Sequence, residues 1–549
     1  MIKDQFSKVQ KLFFDKKYDD VENLIKNLGE LDSLPEVFLN FYATSKLLNP
    51  KSDKNDYLVS AFYFQKIYER NHKKKDILSN LIIASIKANN FKYAEQYLIL
   101  EYDQDPENPR ILEGLSKMHH FRGDIKKSSF FLKKYAKRMP EINHIWPSYL
   151  ATLNYLDTFD QKKYLEECLI FDQSKLIKSK IELTNKKNKK IKLAFLSADF
   201  GIHSVSQFLK PLIQNFNKKN FELFALCNKN LKNYDSTTFE LKRYFDFWVD
   251  VTAMTDVEML NYSRSLNLDI LIDLSGFSLG NRIDVVRSRI ATNQVLWCGY
   301  CNTLGIKNMD YIISDPNLIL NEEKNLYLEK IKFMPKIWNC LSKEKAFPNI
   351  ENKNKNKKFI FGSFNNFRKI SDETVKIWSS ILNNTESVIT LKCSSQETEE
   401  LERNLLNKFS KYTEKLNNIK ILKRIENKID HLRAYNFINL SLDTFPYPGV
   451  TTSFESIAMG VPVLTMQGFN FNSRCGESIN RNLGLEKFIA NSKTDYIDKA
   501  IYYYKNPEEL TNISGENLRK LAFNSPLFDE VEFSKNFEKI LLDIYSNNL

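Results

Sequence analysis

The sequence predicts an α-helical repeat module followed by two α/β domains of the doubly wound kind. Three observations predict it: a 34-residue period in the first part of the chain, glycine that is sparse before residue 191 and frequent after it, and short apolar runs that alternate with helical segments from there on. At 549 residues the chain exceeds what one core supports. Single hydrophobic cores stop growing near roughly 250 to 300 residues, so several compact units are expected.

In the first part, Tyr57, Phe91 and Ile125 are spaced by 34 residues, as are Ser60, Ala94 and Ser128, then Phe64, Leu98 and Leu132, and finally His72, Pro106 and Pro140. Asn89 and Gly123 share the turn position. This is the tetratricopeptide (TPR) pattern: a small residue where two helices approach, a bulky one behind it, and proline where the second helix ends. A weaker copy begins near Tyr18, 39 residues before Tyr57, with the surplus residues in the Asn49-Pro50-Lys51-Ser52 loop. The sequence therefore places about four repeats in residues 1–150 and a helical linker in 151–190. The alternative is an irregular helical domain with coincidental spacing. Stacked repeats leave a concave groove that commonly binds peptides, which points to a protein partner or substrate.

Three glycines precede residue 191 and twelve follow it. Ile191 to Ser197, Phe221 to Cys227, Leu268 to Leu274, Gln294 to Tyr300 and Asp310 to Ser314 are short runs rich in β-branched or aromatic residues, separated by helical segments such as Asp256 to Leu266. A second set is Phe359 to Phe364, Ser387 to Lys392, Ile419 to Leu422, Ile438 to Asp443 and Val461 to Met466, with helices such as Glu373 to Leu382 between them. Both sets read as buried parallel strands, giving one Rossmann-like domain over residues 191–350 and another over 357–549.

The net charge of +12 does not by itself point to nucleic acid. The lysines concentrate in two linker-like runs, Lys186 to Lys192 and Lys353 to Lys358, where solvated charge is the usual outcome, and no basic helix is interleaved with stacking aromatics. Seven scattered cysteines suit reduced thiols, and Cys298-x-x-Cys301 lacks the partners of a zinc site and follows a strand-like segment, so it reads as core. The six histidines form no ligand cluster, so no metal is implied. There is no signal-like h-region at the start and no stretch of the ~18 apolar residues that a membrane span needs, so a cytoplasmic protein is expected.

In an open parallel sheet ligands bind beyond the carboxyl ends of the strands, and four segments occupy such places. In Ser197 to Ser206, His203 can exchange protons or simply stand at the start of a helix. In Asp273-Leu274-Ser275-Gly276-Phe277, Asp273 can orient a nucleophile, hold a sugar hydroxyl or cap the turn. In Gly362 to Ser371, Lys369 can neutralise a diphosphate leaving group or be an ordinary surface lysine. In Leu442 to Ser456, Gly449 followed by Thr451 and Thr452 at a helix start makes a diphosphate cradle, with Glu455 one turn inside to hold ribose or sugar hydroxyls. N-capping by either threonine would explain the hydroxyls but not the Gly-x-Thr-Thr-x-x-Glu ensemble.

Taken in order, Asp199-Phe-Gly-x-His-Ser, Asp273-Leu-Ser-Gly-Phe, Trp297-Cys-Gly-Tyr-Cys-Asn-Thr with Met309-Asp-Tyr-Ile-Ile-Ser-Asp, Phe364-Asn-Asn-Phe-Arg-Lys, and Asp443-Thr-Phe-Pro-Tyr-Pro-Gly-Val-Thr-Thr-Ser-Phe-Glu resemble the protein O-GlcNAc transferase and SPINDLY family. The likeness is to its bacterial branch in particular and covers about residues 191–549. It implies a GT-B fold, with the donor nucleotide held mainly by the C-terminal domain and a last helix, around Phe528 to Tyr545, crossing back to the first. It also implies an inverting glycosyltransferase that moves a sugar, N-acetylglucosamine from UDP-GlcNAc foremost, to Ser or Thr of proteins without a metal or other cofactor. By motif position Lys369 would stabilise the departing diphosphate, Thr451 and Thr452 would bind phosphate, and His431 would border the nucleotide. Asn366, Gly449 and Glu455 complete the expected nucleotide-sugar site, and His203 and Asp273 match positions lining the catalytic cleft. Animal members carry Gln, His and Asp where this chain has Asn366, Val450 and Glu455. Asn366 and Glu455 look more like SPINDLY, which resembles a fucosyltransferase using GDP-fucose. Protein O-fucosylation, glucosylation and a non-catalytic TPR scaffold are the alternatives.

Overall fold

The computed structural model describes residues 2–70, 75–88, 90–141, 144–183, 188–343, 347–351, 358–392 and 398–547. His72 and Asn89 of the repeat register, Lys186 and Lys187 of the first lysine run, Lys353, Lys355 and Lys357 of the second, and Cys393 lie outside the described residues. The chain divides into two compact units, one formed by Met1–Ile142 with Glu397–Asn404 and the other by Asn143–Gln396 with Leu405–Leu549. Among the described residues no helix is long and apolar enough to cross a membrane.

The first unit is built on successive helices: Ile2–Phe14, Tyr18–Lys26, Glu36–Leu48, Lys54–Arg70, Lys75–Lys87, Phe91–Gln104, Pro109–Phe121 and Ile125–Arg138. The 34-residue register has a physical cause. Ser60, Ala94 and Ser128 are all fully buried. The Ser60 hydroxyl donates to the Ala43 carbonyl at 2.8 Å and that of Ser128 to the Ser116 carbonyl at 2.9 Å, so each small side chain lets its helix lie against the one before it. Phe64 and Leu98 fill the core behind them, while Leu132 is half-buried. Pro106 and Pro140 follow the ends of their helices by two residues. Phe91 and Ile125 open their helices, but Tyr57 lies one turn inside Lys54–Arg70 because that helix begins earlier in the repeat.

The second unit holds two parallel sheets. The first contains β1 (Ile191–Ser197), β2 (Phe221–Cys227), β3 (Phe247–Asp250), β4 (Leu268–Asp273), β5 (Ala291–Leu296), β6 (Tyr311–Ser314) and β7 (Lys330–Phe333), in the order β3-β2-β1-β4-β5-β6-β7. The second contains β8 (Ile360–Ser363), β9 (Val388–Lys392), β10 (Ile419–Leu422), β11 (Leu440–Leu442), β12 (Val463–Met466) and β13 (Ile489–Ala490), in the order β10-β9-β8-β11-β12-β13. Both orders are doubly wound, and the central strands are buried on both faces, as parallel sheets covered by helices require. One expected strand is corrected: the run Gln294 to Tyr300 leaves the sheet at Leu296, and Cys298 turns with φ +75°. The aromatic and apolar residues there serve loop packing, with Trp297 and Tyr300 buried.

The helices Ile145–Leu153 and Gln161–Asp172 are tied down by a buried polar network rather than by apolar contact alone. Asn154 Nδ2 donates to the Tyr300 hydroxyl at 2.9 Å, and Gln161 Nε2 donates to Asn302 Oδ1 at 2.8 Å. Asn470, from the second α/β domain, donates to Gln161 Oε1 at 3.0 Å. Two further contacts join the domains: the Arg474 guanidinium grips both carboxylate oxygens of Glu323, one at 2.7 Å, and the Ser478 hydroxyl donates to Asp315 at 2.8 Å. Such networks specify one docking geometry because each member left unpaired would carry the full cost of desolvation.

The terminal helix Glu530–Ser546 returns to the first sheet, where Phe533, Phe537, Leu541 and Ile544 enter its core. The Trp297 and Phe537 rings meet at 4.7 Å. Phe537→Ala is expected to destabilise the second unit by about 3–5 kcal/mol through the cavity it leaves. Urea unfolding followed by tryptophan fluorescence checks this, and an unchanged midpoint would show that the helix does not contribute to that core.

Candidate active site

The chain runs outward from β8 through β9 to β10, then returns to β11 on the other side of β8, so β8 and β11 are neighbours at which the winding reverses. At such a switch point the loops leaving the two strands part and open a crevice. The loops here are the segments carrying Asn365 to Lys369 and Asp443 to Thr452.

The Asp443 carboxylate, at the end of β11, joins the two loops. Its Oδ1 accepts from Asn365 Nδ2 at 3.2 Å, from the Gly449 amide at 2.7 Å and from the Thr444 amide at 3.0 Å, while Oδ2 accepts from the Thr465 hydroxyl at 2.9 Å. Burial pushes this carboxyl up to about 6, against those donors and the nearby Lys369 ammonium. Glycine at 449 leaves room for these side chains, because a Cβ there would stand 2.3 Å from Thr452 Oγ1 and 2.8 Å from Asn365 Oδ1 and displace them.

Lys369 ends a short turn, Phe367–Lys369, capped by Asn366, whose Oδ1 accepts from the Arg368 amide at 3.0 Å. Its Nζ donates to the Pro448 carbonyl at 2.9 Å and lies 4.0 Å from the centre of the Tyr447 ring. Burial draws the ammonium down to about 8, with Asp443 opposing that shift. The result is a fixed cation in a partly dehydrated place, where it acts on an anion more strongly than a surface lysine does.

Neither threonine is an N-cap. The helix Thr451–Ala458 has Val450 in that position with no side-chain cap, and the Thr452 hydroxyl instead donates to Asn365 Oδ1 at 2.8 Å. The helix N-terminus thus keeps its positive end free of a side-chain acceptor beside the Lys369 loop. Glu455, buried in that helix, bonds His431 Nε2 at 2.9 Å, and the His431 ring lies 6.0 Å from Phe364 and 5.8 Å from Tyr435. Two buried polar atoms at this site, His431 Nδ1 and Ser363 Oγ, have no hydrogen-bond partner among the described residues. Buried polar atoms of that kind are what a bound ligand satisfies.

The site therefore gathers Asn366, Lys369, His431, Gly449, Thr451, Thr452 and Glu455 in one domain. His203 and Asp273 lie at the matching switch point of the first sheet, where β1 pairs with β4. His203 is exposed at the N-cap of the helix Ser204–Gln214, its Nδ1 accepting from the Val205 amide at 3.3 Å and standing 3.6 Å from Asp199. Asp273 is buried, accepts from the Ser275 and Gly276 amides at 3.1 and 3.0 Å, and is pushed up to about 7 by burial. It closes its turn, as a capping residue does. From the first α/β domain, Cys301, in the loop after β5, is near enough to act electrostatically on the Lys369 ammonium, as Cys475 is from the second.

Sequence reasoning did not single out Asn365, Asp443 or Tyr155. Asp443 follows a strand just as Asp273 does, and that position was the available signal. Tyr155, whose ring meets Tyr447 at 4.6 Å, comes from the linker and carried no local signal.

The sequence matches glycosyl transferase family 41 over residues 162–359 and 353–537. A probable UDP-N-acetylglucosamine–peptide N-acetylglucosaminyltransferase SPINDLY of Solanum lycopersicum is 29% identical over 353 residues, covering 63% of this chain and 38% of that protein. The corresponding SEC protein of Arabidopsis thaliana is 26% identical over 365 residues, covering 64% of this chain and 36% of the relative. The chain thus spans less than half the length of these relatives. A solved structure of an O-GlcNAc transferase mutant from Thermobaculum terrenum aligns with a TM-score of 0.79 at 22% identity, covering 94% of this chain and 99% of the other. That likeness shows the fold: a helical N-terminal region followed by the two Rossmann-like domains of the GT-B arrangement. With the family matched across both sheets, the chain belongs to glycosyl transferase family 41.

Proposed function

We propose that the protein transfers a sugar, N-acetylglucosamine from UDP-GlcNAc, to Ser or Thr hydroxyls of protein acceptors, with inversion and without a divalent metal. The observation that carries this reading is the Lys369 ammonium fixed on Pro448 and Tyr447 beside the N-terminus of Thr451–Ala458. A glycosyl transfer from a nucleotide sugar expels a diphosphate. Its developing charge needs cations and amide donors already in place, because donors held in position need no reorganisation as the bond breaks. Lys369 and the first-turn amides supply both kinds. His431 and Glu455 would border the nucleotide, and the free His431 Nδ1 and Ser363 Oγ would take its hydrogen bonds. The acceptor hydroxyl attacks the anomeric carbon from the face opposite the diphosphate, the glycosidic bond to phosphate breaks, and the hydroxyl proton leaves to a base. The repeat helices would offer the surface that selects protein acceptors.

Purified protein, a host-cell lysate as acceptor and separate UDP-GlcNAc, UDP-glucose and GDP-fucose donors test this by mass spectrometry. A gain of one N-acetylhexosamine with UDP-GlcNAc is expected, and a gain with GDP-fucose alone would replace the donor assignment. Lys369→Ala is expected to lower kcat on the order of 10² to 10³-fold, as removal of one charge-stabilising donor does; undiminished transfer would overturn the role given to Lys369.

The Lys369 ammonium adds a pH signature. Its value near 8 lies below that of a free lysine, so the free enzyme loses this cation as pH rises through 8. kcat/KM for the donor is expected to fall above about pH 8, since that ratio reports groups of the free enzyme. In Lys369→Arg, whose guanidinium stays charged to about pH 12, the fall should disappear. The same fall in the arginine variant would assign it to another group.

A further inference from the structure

A second crevice, ≈ 200 Å³ in volume, opens on the same edge of the second sheet, beyond the carboxyl ends of β11, β12 and β13. Phe445, Met466 and Phe469 give it apolar walls, and Asp157, Glu373 and Lys493 line it with charge. Phe469 is partly exposed and is held by stacking on Phe159, with ring centres 5.7 Å apart. A stack two rings deep leads from here to the candidate leaving-group site. Asp157 lies two residues from Tyr155, Tyr155 packs on Tyr447, and Tyr447 carries the Lys369 ammonium on its ring.

The acidic groups are not equally matched. Glu373 pairs with Lys493 at 2.6 Å, and the neighbouring Asp372 pairs with Lys408 at 2.8 Å. Asp157 has no cation within ion-pairing distance among the described residues, although the chain as a whole is strongly basic. Partial burial raises its pKa, and the Glu373 and Asp372 carboxylates push the same way, while the polar groups of Ser371 and Glu373 beside it oppose them. A carboxylate accepts about four hydrogen bonds, so Asp157 has lone pairs to spare for a cationic donor. An apolar slot with one unmatched carboxylate on its wall fits a side chain that joins an aliphatic stem to a cationic head.

We propose that this crevice receives a basic side chain of the acceptor peptide, its stem against Phe445, Met466 and Phe469 and its charge on Asp157. The proposal rests on the protein-glycosylation reading and adds to it a recognition rule: a lysine or arginine a few residues from the modified Ser or Thr. Its position along the peptide is set by the short reach from the Tyr155–Tyr447 stack to the crevice.

Synthetic peptides with a single Ser, carrying Lys, Gln or Glu in turn at positions on either side of it, test the proposal with purified full-length protein and radiolabelled UDP-GlcNAc. At one position, Lys is expected to lower KM on the order of tenfold relative to Gln, with kcat unchanged. Asp157→Asn should abolish that difference while Gln peptides react as before, and Asp157→Lys should turn the preference toward Glu at the same position. A wild-type enzyme indifferent to charge at every position, or a lysine preference kept in Asp157→Asn, overturns the crevice assignment and leaves the transferase reading standing. Donor hydrolysis measured without peptide separates the two: hydrolysis with no peptide of any series modified would reject protein acceptors, and the crevice proposal with them.

Discussion

Asp443 is the constraint on which the candidate site depends. It stands at the carboxyl end of β11, where the sheet reverses its winding, and its oxygens hold the loop after β8 through Asn365 and the loop after β11 through Gly449. Without that carboxylate the two loops would be joined at the crevice only by the Thr452–Asn365 and Lys369–Pro448 hydrogen bonds. With it, Lys369 and the Thr451–Ala458 helix face one space. Burying a carboxylate is costly, and its raised pKa records the cost. Four hydrogen bonds and an adjacent ammonium offset that cost.

The same device recurs in weaker form in the first sheet. Asp273 at the end of β4 also accepts two backbone amides, but its loop presents no lysine, and His203, in the loop after β1, is open to solvent. Two domains of like topology thus carry different electrostatics at equivalent places: a half-buried cation and a free helix N-terminus in one, a buried carboxyl and an exposed imidazole in the other. Under the proposed function the first of these would face the donor and the second the acceptor. The contacts Arg474–Glu323, Ser478–Asp315 and Asn470–Gln161 set the two sides in one register, since the first is partly buried, the other two are buried, and all are specific in geometry.

Much of this was legible in the sequence. β1, β2 and β10 fall where their apolar runs begin and end, because a fully buried parallel strand has no polar alternation to blur it. β3 and β7 were not legible, since they are four-residue edge strands that are largely half-exposed, and β13 has only two residues. The run after Gln294 misled because it is as apolar as a strand, while the positive φ of Cys298 that ends it leaves no mark on composition. At the site, Lys369, Gly449, Thr451 and Thr452 could be read because they follow strands. Tyr155 and Asp157 could not, since their place depends on where a linker crosses the sheet edge, a matter of tertiary packing alone. For the threonines the sequence favours a phosphate cradle with N-capping as the alternative, and the backbone removes the alternative by placing Val450 at the cap and turning Thr452 toward Asn365.

The most direct test of the switch-point site is calorimetric titration of UDP and UMP into the wild-type protein and Lys369→Ala. If Lys369 and the helix N-terminus hold the terminal phosphate, UDP binds the wild type at least about tenfold more tightly than UMP, and the substitution removes that difference while leaving UMP binding nearly unchanged. Equal affinity of UDP for both proteins would contradict the account, because the ammonium would then not face the phosphates at all.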